Sequence, residues 1–290
     1  MRERIRHEPV ELTETEFVIP KDGDFIPHEI VVPMIVSSPG NPGELVFPGI
    51  GQDGKIPRWI AEQVDGVDVA SALQYWKVPP TRDSIRAVAE AHIRGAVEAW
   101  RDVHNDANLV PNMIPESQTG IGAAYFEANA PDDVDTMVYV RPLGFNVDGM
   151  GETPDERAIE LLKRAGGTLL QPDQSVFVDW RNGYVASRLA RRVGRHTITQ
   201  LGIGLSEDMV PLLSQRIPAR AEAGKDTALL IGEKDKMMTA PELREARRRI
   251  GEKAFDLISI EDASHRSLAT RRGAADLRVA VNYIRSDRAA

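Results

Sequence analysis

Three residues that together can activate a nucleophile occur in the order Ser117, Asp235 and His265. Each follows a short apolar run that reads as a strand: ANLVPNMI precedes the serine, TALLIG the aspartate and AFDLISI the histidine. A serine hydroxyl needs an adjacent base, which a histidine supplies, and an acid holds the imidazole in the correct tautomer. In a parallel sheet the carboxyl ends of the strands lie along one edge, where ligands bind. The pattern therefore predicts a hydrolytic site with Ser117 as nucleophile, His265 as base and Asp235 as acid.

Each of these residues also has an ordinary structural interpretation. A serine at the start of a helix is more often a cap, and an aspartate in GEKDKM is also typical of a turn. Asp148, which follows the run MVYVRPLGF, is an alternative acid, whereas Asp262 is too close to His265 in sequence to be preferred. Of the six histidines, only His265 follows the last predicted strand. We favour the catalytic interpretation because all three residues follow predicted strands.

The elements that would position these residues alternate between strands and helices. Two β-rich runs, VELTETEFVIP and HEIVVPMIVSS, come first, followed by ELVF and by an amphipathic helix between Asp83 and Trp100. IGAAYFEANA predicts a helix after the serine, and PELREARRRIG predicts another between the last two strands. This alternation is typical of parallel β/α units. The predicted fold class is therefore α/β, with a mostly parallel central sheet flanked by helices.

The alternation stops between about Asn146 and Gly224, where the sequence is helical, rich in loops and more polar. We therefore predict a core formed by residues 1–145 and 225–290 and a helical cap or lid formed by residues 146–224. A lid over the carboxyl edge would set substrate choice, although its aromatic residues more often simply pack the lid onto the core. The candidate pocket residues are Phe177, Trp180, Tyr184 and Met237.

The segment PESQTG places Ser117 between a predicted strand and a predicted helix. The nucleophile elbow G-x-S-x-G has this architecture, in which small residues let the strand and the helix approach closely. Pro115 and Thr119 occupy the two glycine positions here, and Gly120 and Gly122 follow at once. The match to the elbow is therefore partial in sequence but complete in the order of elements.

Four segments resemble the α/β-hydrolase family, over roughly residues 25–285: the PGIGQDG loop after ELVF, the PESQTGIGAA elbow, the ALLIGEKDKM acid loop and the EDASHRSL histidine loop. The chain order serine, acid, histidine is that of this fold. Many members have His-Gly where this chain has Pro48-Gly49. The resemblance implies an α/β-hydrolase fold with a lid. The oxyanion would be bound by the backbone N–H groups of Gln118 and Ile50.

These observations lead us to expect a serine hydrolase that cleaves a small-molecule carboxylic ester through an acyl-enzyme. A lactone, a thioester or a carbon–carbon bond of a diketone-like acid fits the same chemistry. The alternative is a catalytically weak or inactive ligand-binding protein with this fold, suggested by Pro115, Thr119 and the missing His-Gly. The intact serine, acid and histidine favour the enzyme.

Composition limits the binding partners and the cellular location that we expect. The 290-residue chain has 42% apolar residues and a formal net charge of −8, so we expect a full core and no nucleic-acid partner. It has no cysteine, which excludes disulfides, a thiol nucleophile and cysteine-ligated metals. Its charged start, and the lack of an apolar run of about 18 residues, lead us to expect no membrane partner and a cytoplasmic location. We expect a small-molecule substrate, no cofactor and no metal; a homodimer is an arrangement that the sequence leaves open.

Overall fold

A single eight-stranded sheet organises the part of the chain that the computed structural model describes, residues 12–37, 40–49, 52–73, 78–145, 150–169, 171, 179–192 and 209–287. Its strands are β1 (Thr13–Ile19), β2 (Ile30–Val36), β3 (Glu44–Phe47), β4 (Val67–Ala70), β5 (Met113–Pro115), β6 (Met137–Val140), β7 (Thr227–Gly232) and β8 (Asp256–Ile260). The order across the sheet is β1-β2-β4-β3-β5-β6-β7-β8. Strands β3 to β8 run parallel, whereas β2 is antiparallel to both β1 and β4. The predicted α/β class with a mostly parallel sheet is confirmed.

Burial along the strands follows their place in the sheet. Every residue of β3, β4, β5, β6 and β7 is buried, as expected of parallel strands that are covered by helices on both faces. Strand β1 alternates between exposed and buried side chains over most of its length, because one face of this antiparallel edge contacts solvent. The continuous apolar runs ELVF, MVYV and TALLIG thus form interior strands of the sheet.

Helices cover both faces of the sheet. They are α1 (Ile56–Ala61), α2 (Arg82–His104), α3 (Thr119–Asn129), α4 (Pro154–Leu169), α5 (Trp180–Arg192), α6 (Met209–Glu222), α7 (Ala240–Gly251) and α8 (Arg271–Asp287). Helices α1 and α8 share one buried apolar cluster, and α2, α3, α6 and α7 share the other. Helix α2 begins after Thr81, whose side chain accepts the Ser84 N–H, and it ends at Asn105 in the left-handed conformation.

The segment predicted as a cap contains helices α4, α5 and α6. Helix α6 packs against α3 and α7, and its residues Met209, Leu213 and Ile217 belong to the main core cluster. The division of the chain into core and cap therefore stays a prediction, and α6 has the packing of a core helix. No helix in the described ranges is long and apolar enough to cross a membrane.

Helices α2 and α3 approach so closely that Gly122 has no room for a side chain. A Cβ at Gly122 would lie 2.5 Å from the carbonyl oxygen of Ala89. We expect Gly122→Ala to lower the free energy of unfolding by about 1–3 kcal/mol, because backbone must shift to admit the methyl group. The measurement is urea denaturation.

Gly166 in α4 is the matched control, since a Cβ there would meet nothing within 4 Å. Gly166→Ala is expected to raise helix stability by up to about 1 kcal/mol. Equal stability of Gly122→Ala and wild type would contradict the close α2–α3 packing.

Candidate active site

The three residues singled out in the sequence follow the carboxyl ends of three parallel strands. Ser117 follows β5, Asp235 follows β7 and His265 follows β8. Strands β5, β6, β7 and β8 are neighbours in the sheet, so their carboxyl ends form one continuous edge. The sheet therefore brings a hydroxyl, a carboxylate and an imidazole to the same edge.

Ser117 occupies a sharp turn between β5 and α3. Its φ is +55°, an uncommon left-handed conformation for a residue other than glycine. Its N–H donates to Val140 O at 3.0 Å, and its carbonyl accepts the Leu143 N–H at 2.9 Å. The last residue of β6 and the loop after it therefore hold the turn. A left-handed residue held by its surroundings is typical of functional sites. This turn has the architecture of a nucleophile elbow.

Thr119 stands where the elbow pattern has its second glycine, and its side chain supports the turn. The Thr119 hydroxyl accepts the Glu116 N–H at 3.0 Å and lies 2.8 Å from Phe47 O and 2.7 Å from Glu116 O, which are acceptors for its proton. Close packing is provided one position later by Gly120, where a Cβ would lie 2.9 Å from the Pro142 Cβ. The departure from G-x-S-x-G at Thr119 is therefore compatible with the elbow.

A continuous hydrogen-bonded chain joins the three side chains. His265 Nε2 lies 3.2 Å from Ser117 Oγ, and His265 Nδ1 lies 2.8 Å from Asp235 Oδ2. The Asp235 side chain is fully buried, and its other oxygen accepts the N–H groups of Met237 at 2.8 Å and Met238 at 2.9 Å. This arrangement favours the tautomer in which Nδ1–H donates to the carboxylate and Nε2 accepts the serine proton.

His92, a residue of α2, is buried away from solvent. Burial lowers the pKa of His92 to about 4, so its imidazole stays neutral near pH 7. Its Nε2–H donates to Ser71 O at 2.9 Å. His92 therefore holds the end of β4 and is unsuited to accept a proton at the elbow.

The backbone near Ser117 offers one of the two predicted oxyanion donors. Gln118 is buried at the start of α3, and its N–H donates to no backbone acceptor among the described residues. Ile50, the other predicted donor, lies outside the described residues. Its neighbour Gly49 is close to the elbow, since a Cβ there would lie 3.0 Å from the Ser117 Cβ. The loop after β3 thus passes beside the candidate nucleophile.

Three of the four predicted pocket residues lie in the described part of the chain. Trp180 and Tyr184 pack edge-on against Trp59 of α1, with ring centroids 4.9 Å and 5.0 Å away. Met237 is half-buried beside Asp235, whereas Phe177 and the alternative acid Asp148 lie outside the described residues. A role of Trp180, Tyr184 and Met237 in a substrate pocket stays a prediction.

Two charged residues that the sequence does not single out are buried beside the elbow. Glu116, which precedes Ser117, is 1% exposed, and Arg141, which follows β6, is 0% exposed. Arg141 Nη2 lies 3.3 Å from Glu116 Oε1. Their positions at strand ends were the available signal, but a charged residue at a strand end is usually exposed to solvent.

Comparisons with known proteins support the fold. No family model matches the sequence, and no curated protein matches it. Many solved structures are similar. E-2-(acetamidomethylene)succinate hydrolase is 15% identical with a TM-score of 0.58, and the match covers 94% of this chain and 99% of that one. The enol-lactonase from Burkholderia xenovorans LB400 is 12% identical with a TM-score of 0.57, covering 88% and 96%.

A third similar structure is 2-hydroxy-6-oxo-6-phenylhexa-2,4-dienoate hydrolase from Rhodococcus sp. strain RHA1. It is 13% identical with a TM-score of 0.58, and the match covers 95% of this chain and 99% of that one. At such identities the likeness concerns the fold, and it agrees with the strand order and with the serine turn after β5. The chain therefore has the α/β-hydrolase fold.

Proposed function

We propose that the protein is a serine hydrolase that cleaves a small-molecule carboxylic ester through an acyl-enzyme intermediate. The observation that carries the proposal is the unbroken chain from Asp235 Oδ2 through His265 to Ser117 Oγ, with distances of 2.8 Å and 3.2 Å. A nucleophile, a base within reach of it, and a third group that orients the base are the parts that acyl transfer requires.

The proposed reaction begins when Ser117 Oγ attacks the carbonyl carbon of the ester. The serine proton passes to His265 Nε2, and the carbonyl π electrons move to the oxygen, which becomes an oxyanion. The backbone N–H of Gln118, and that of Ile50 as predicted, stabilise this charge. When the intermediate collapses, the bond to the leaving alkoxide breaks, and the alkoxide takes the proton from His265. Water then attacks the acyl-serine with the same base and releases the carboxylic acid.

A carboxylic ester is the first expectation, and the same attack on a carbonyl also suits a lactone, a thioester or a carbon–carbon bond next to a ketone. Initial rates with a panel of nitrophenyl esters, thioesters and lactones of different acyl length test the proposal. We expect turnover by the wild type above that of the Ser117→Ala protein for at least the short esters. Equal rates for both proteins across the panel would contradict the proposal and favour a ligand-binding protein.

Asp235→Asn is expected to lower kcat by about 10⁴-fold, because an amide favours the wrong imidazole tautomer and cannot stabilise the imidazolium. The measurement is steady-state hydrolysis of a nitrophenyl ester. Asp262→Asn is the matched control, since Asp262 is 84% exposed and pairs with Lys234. Unchanged turnover of Asp235→Asn would transfer the acid role to Asp148.

A further inference from the structure

Four charged side chains are buried together directly behind the candidate catalytic residues. Glu116, Arg141, Arg266 and Asp276 are 1%, 0%, 6% and 2% exposed. They come from the elbow, the end of β6, the histidine loop and α8. Two carboxylates and two guanidinium groups make the group neutral, which is the condition under which charges are tolerated in a core.

Arg141 holds the histidine loop on both sides of His265. Its Nη1 donates to Ser264 O at 2.6 Å, and its Nη2 donates to Arg266 O at 3.1 Å. Arg141 is itself fixed, because its backbone N–H donates to Leu230 O of β7 at 3.0 Å and its φ is +46°. One guanidinium group thus binds the backbone on both sides of His265.

Glu116 extends the connection to the elbow and to the loop after β3. One carboxylate oxygen accepts from Arg141 Nη2 at 3.3 Å. The other accepts the Gly49 N–H at 3.0 Å and Gln52 Nε2 at 2.5 Å. Gln52 returns to the histidine loop, since its Oε1 accepts the Ser267 hydroxyl at 2.6 Å. Glu116 therefore ties the backbone next to Ser117 to both loops that face it.

Asp276 completes the group from α8. Its Oδ2 lies 3.2 Å from Arg141 Nη1 and 2.8 Å from Arg266 Nε, and its Oδ1 lies 2.7 Å from Arg266 Nη2. Burying such ions adds little net stability, because the cost of desolvation cancels much of the attraction between them. Apolar residues of similar volume often stabilise a core equally well. Hydrogen bonds in fixed directions are what the charges add at this place.

We propose that Arg141 and Glu116 are positioning residues that set the distances among Ser117, His265 and the backbone donors of the loop after β3. Neither residue contacts substrate in this scheme; each acts through the backbone that carries the reacting groups. The inference rests on the proposed hydrolase function.

The chain contains a matched control for a buried arginine at the opposite edge of the sheet. Arg220 is 3% exposed, and its Nε lies 2.6 Å from Glu127 Oε1, on a glutamate that is fully buried. Its guanidinium donates to Val134 O at 3.2 Å and to Asp135 O at 2.5 Å, before the amino end of β6. Arg220 therefore makes the same kind of ion pair and carbonyl contacts far from Ser117.

The test compares Arg141→Lys with Arg220→Lys. Lysine keeps the charge, but its compact ammonium group cannot reproduce a planar guanidinium that binds carbonyl and carboxylate oxygens at the same time. We expect Arg141→Lys to lower kcat for a nitrophenyl ester by about 10- to 100-fold with KM nearly unchanged, because small misplacements of reacting groups are costly. Arg220→Lys should lower the free energy of unfolding comparably and leave kcat at the wild-type value.

Hydrogen exchange gives a readout that does not depend on turnover. Arg141→Lys should speed exchange in peptides that contain Gln52 and His265, whereas Arg220→Lys should speed exchange in the peptide that contains Val134. Glu116→Gln keeps the side-chain size and should likewise lower kcat and speed exchange in the peptides that contain Gln52 and His265. It provides the same test if Arg141→Lys does not fold.

Two outcomes separate this inference from the proposed function. An active wild type whose Arg141→Lys and Glu116→Gln variants retain kcat would overturn the positioning role alone. A wild type without hydrolase activity would overturn the proposed function and, with it, the effect of these residues on kcat. If hydrogen exchange at Gln52 and His265 were as slow in both variants as in the wild type, the coupling of the two loops would be overturned as well.

Discussion

Replacing Ser117 with alanine is expected to lower kcat for an ester substrate by about 10⁶-fold, the largest effect of any single substitution in the chain. In the proposed mechanism Ser117 Oγ forms the acyl bond, and the alanine variant leaves His265 without a hydroxyl to activate. The hydrogen bonds of Ser117 to Val140 and Leu143 use backbone atoms, so the elbow should keep its geometry without the hydroxyl. KM and the unfolding transition should therefore change little. Steady-state kinetics and urea denaturation measure both.

Ser286→Ala is the matched control for this substitution. Ser286 is an exposed residue of α8 whose hydroxyl donates to Tyr283 O, so its loss should leave kcat at the wild-type value. A Ser117→Ala protein that retains more than about a hundredth of wild-type turnover would remove Ser117 from the mechanism, since binding and the oxyanion donors alone supply far less.

Replacing His265 with alanine is expected to lower kcat almost as strongly, by about 10⁵- to 10⁶-fold. Without Nε2 at 3.2 Å from Ser117 Oγ, the hydroxyl has no base, and the leaving alkoxide has no proton donor. Residues that act as one unit are not additive, so the Ser117→Ala/His265→Ala double variant should be about as slow as either single variant. Nitrophenyl ester hydrolysis at high enzyme concentration measures all three.

His28→Ala is the corresponding control, because His28 is exposed in the segment between β1 and β2. Its turnover should equal that of the wild type. If the double variant were slower than either single variant by the product of both effects, Ser117 and His265 would act independently, and the hydrogen-bonded chain between them would have no catalytic meaning.

Much of the fold was predictable because the apolar runs of a parallel sheet are continuous and the helices between them are periodic. ELVF, MVYV and TALLIG are buried at every position and form interior strands of the sheet. Such runs also locate strand ends, which explains why Ser117, Asp235 and His265 could be brought together from the sequence. The contact of Asp235 with His265, at 2.8 Å, is visible only in the folded structure.

The parts that could not be predicted depend on pairs of residues far apart in the chain. Arg141 and Ser264 form a hydrogen bond across 123 positions, and nothing local to either residue indicates it. Whether Thr119 can support the elbow likewise depends on Phe47 O, a carbonyl oxygen on another strand. A charged residue that will be buried cannot be distinguished in a single sequence from one that will be exposed, because the partner that neutralises its charge comes from elsewhere in the fold.

The central claim is that Ser117 is a nucleophile activated by His265, and the most direct measurement is peptide mapping after reaction with a fluorophosphonate. We expect one phosphonyl group per chain on the peptide that contains Ser117, formed rapidly in the wild type. Labelling should be lost in Ser117→Ala, strongly slowed in His265→Ala and unchanged in Ser286→Ala. An adduct on any other residue, or a wild type that reacts no faster than Ser117→Ala, would contradict the account.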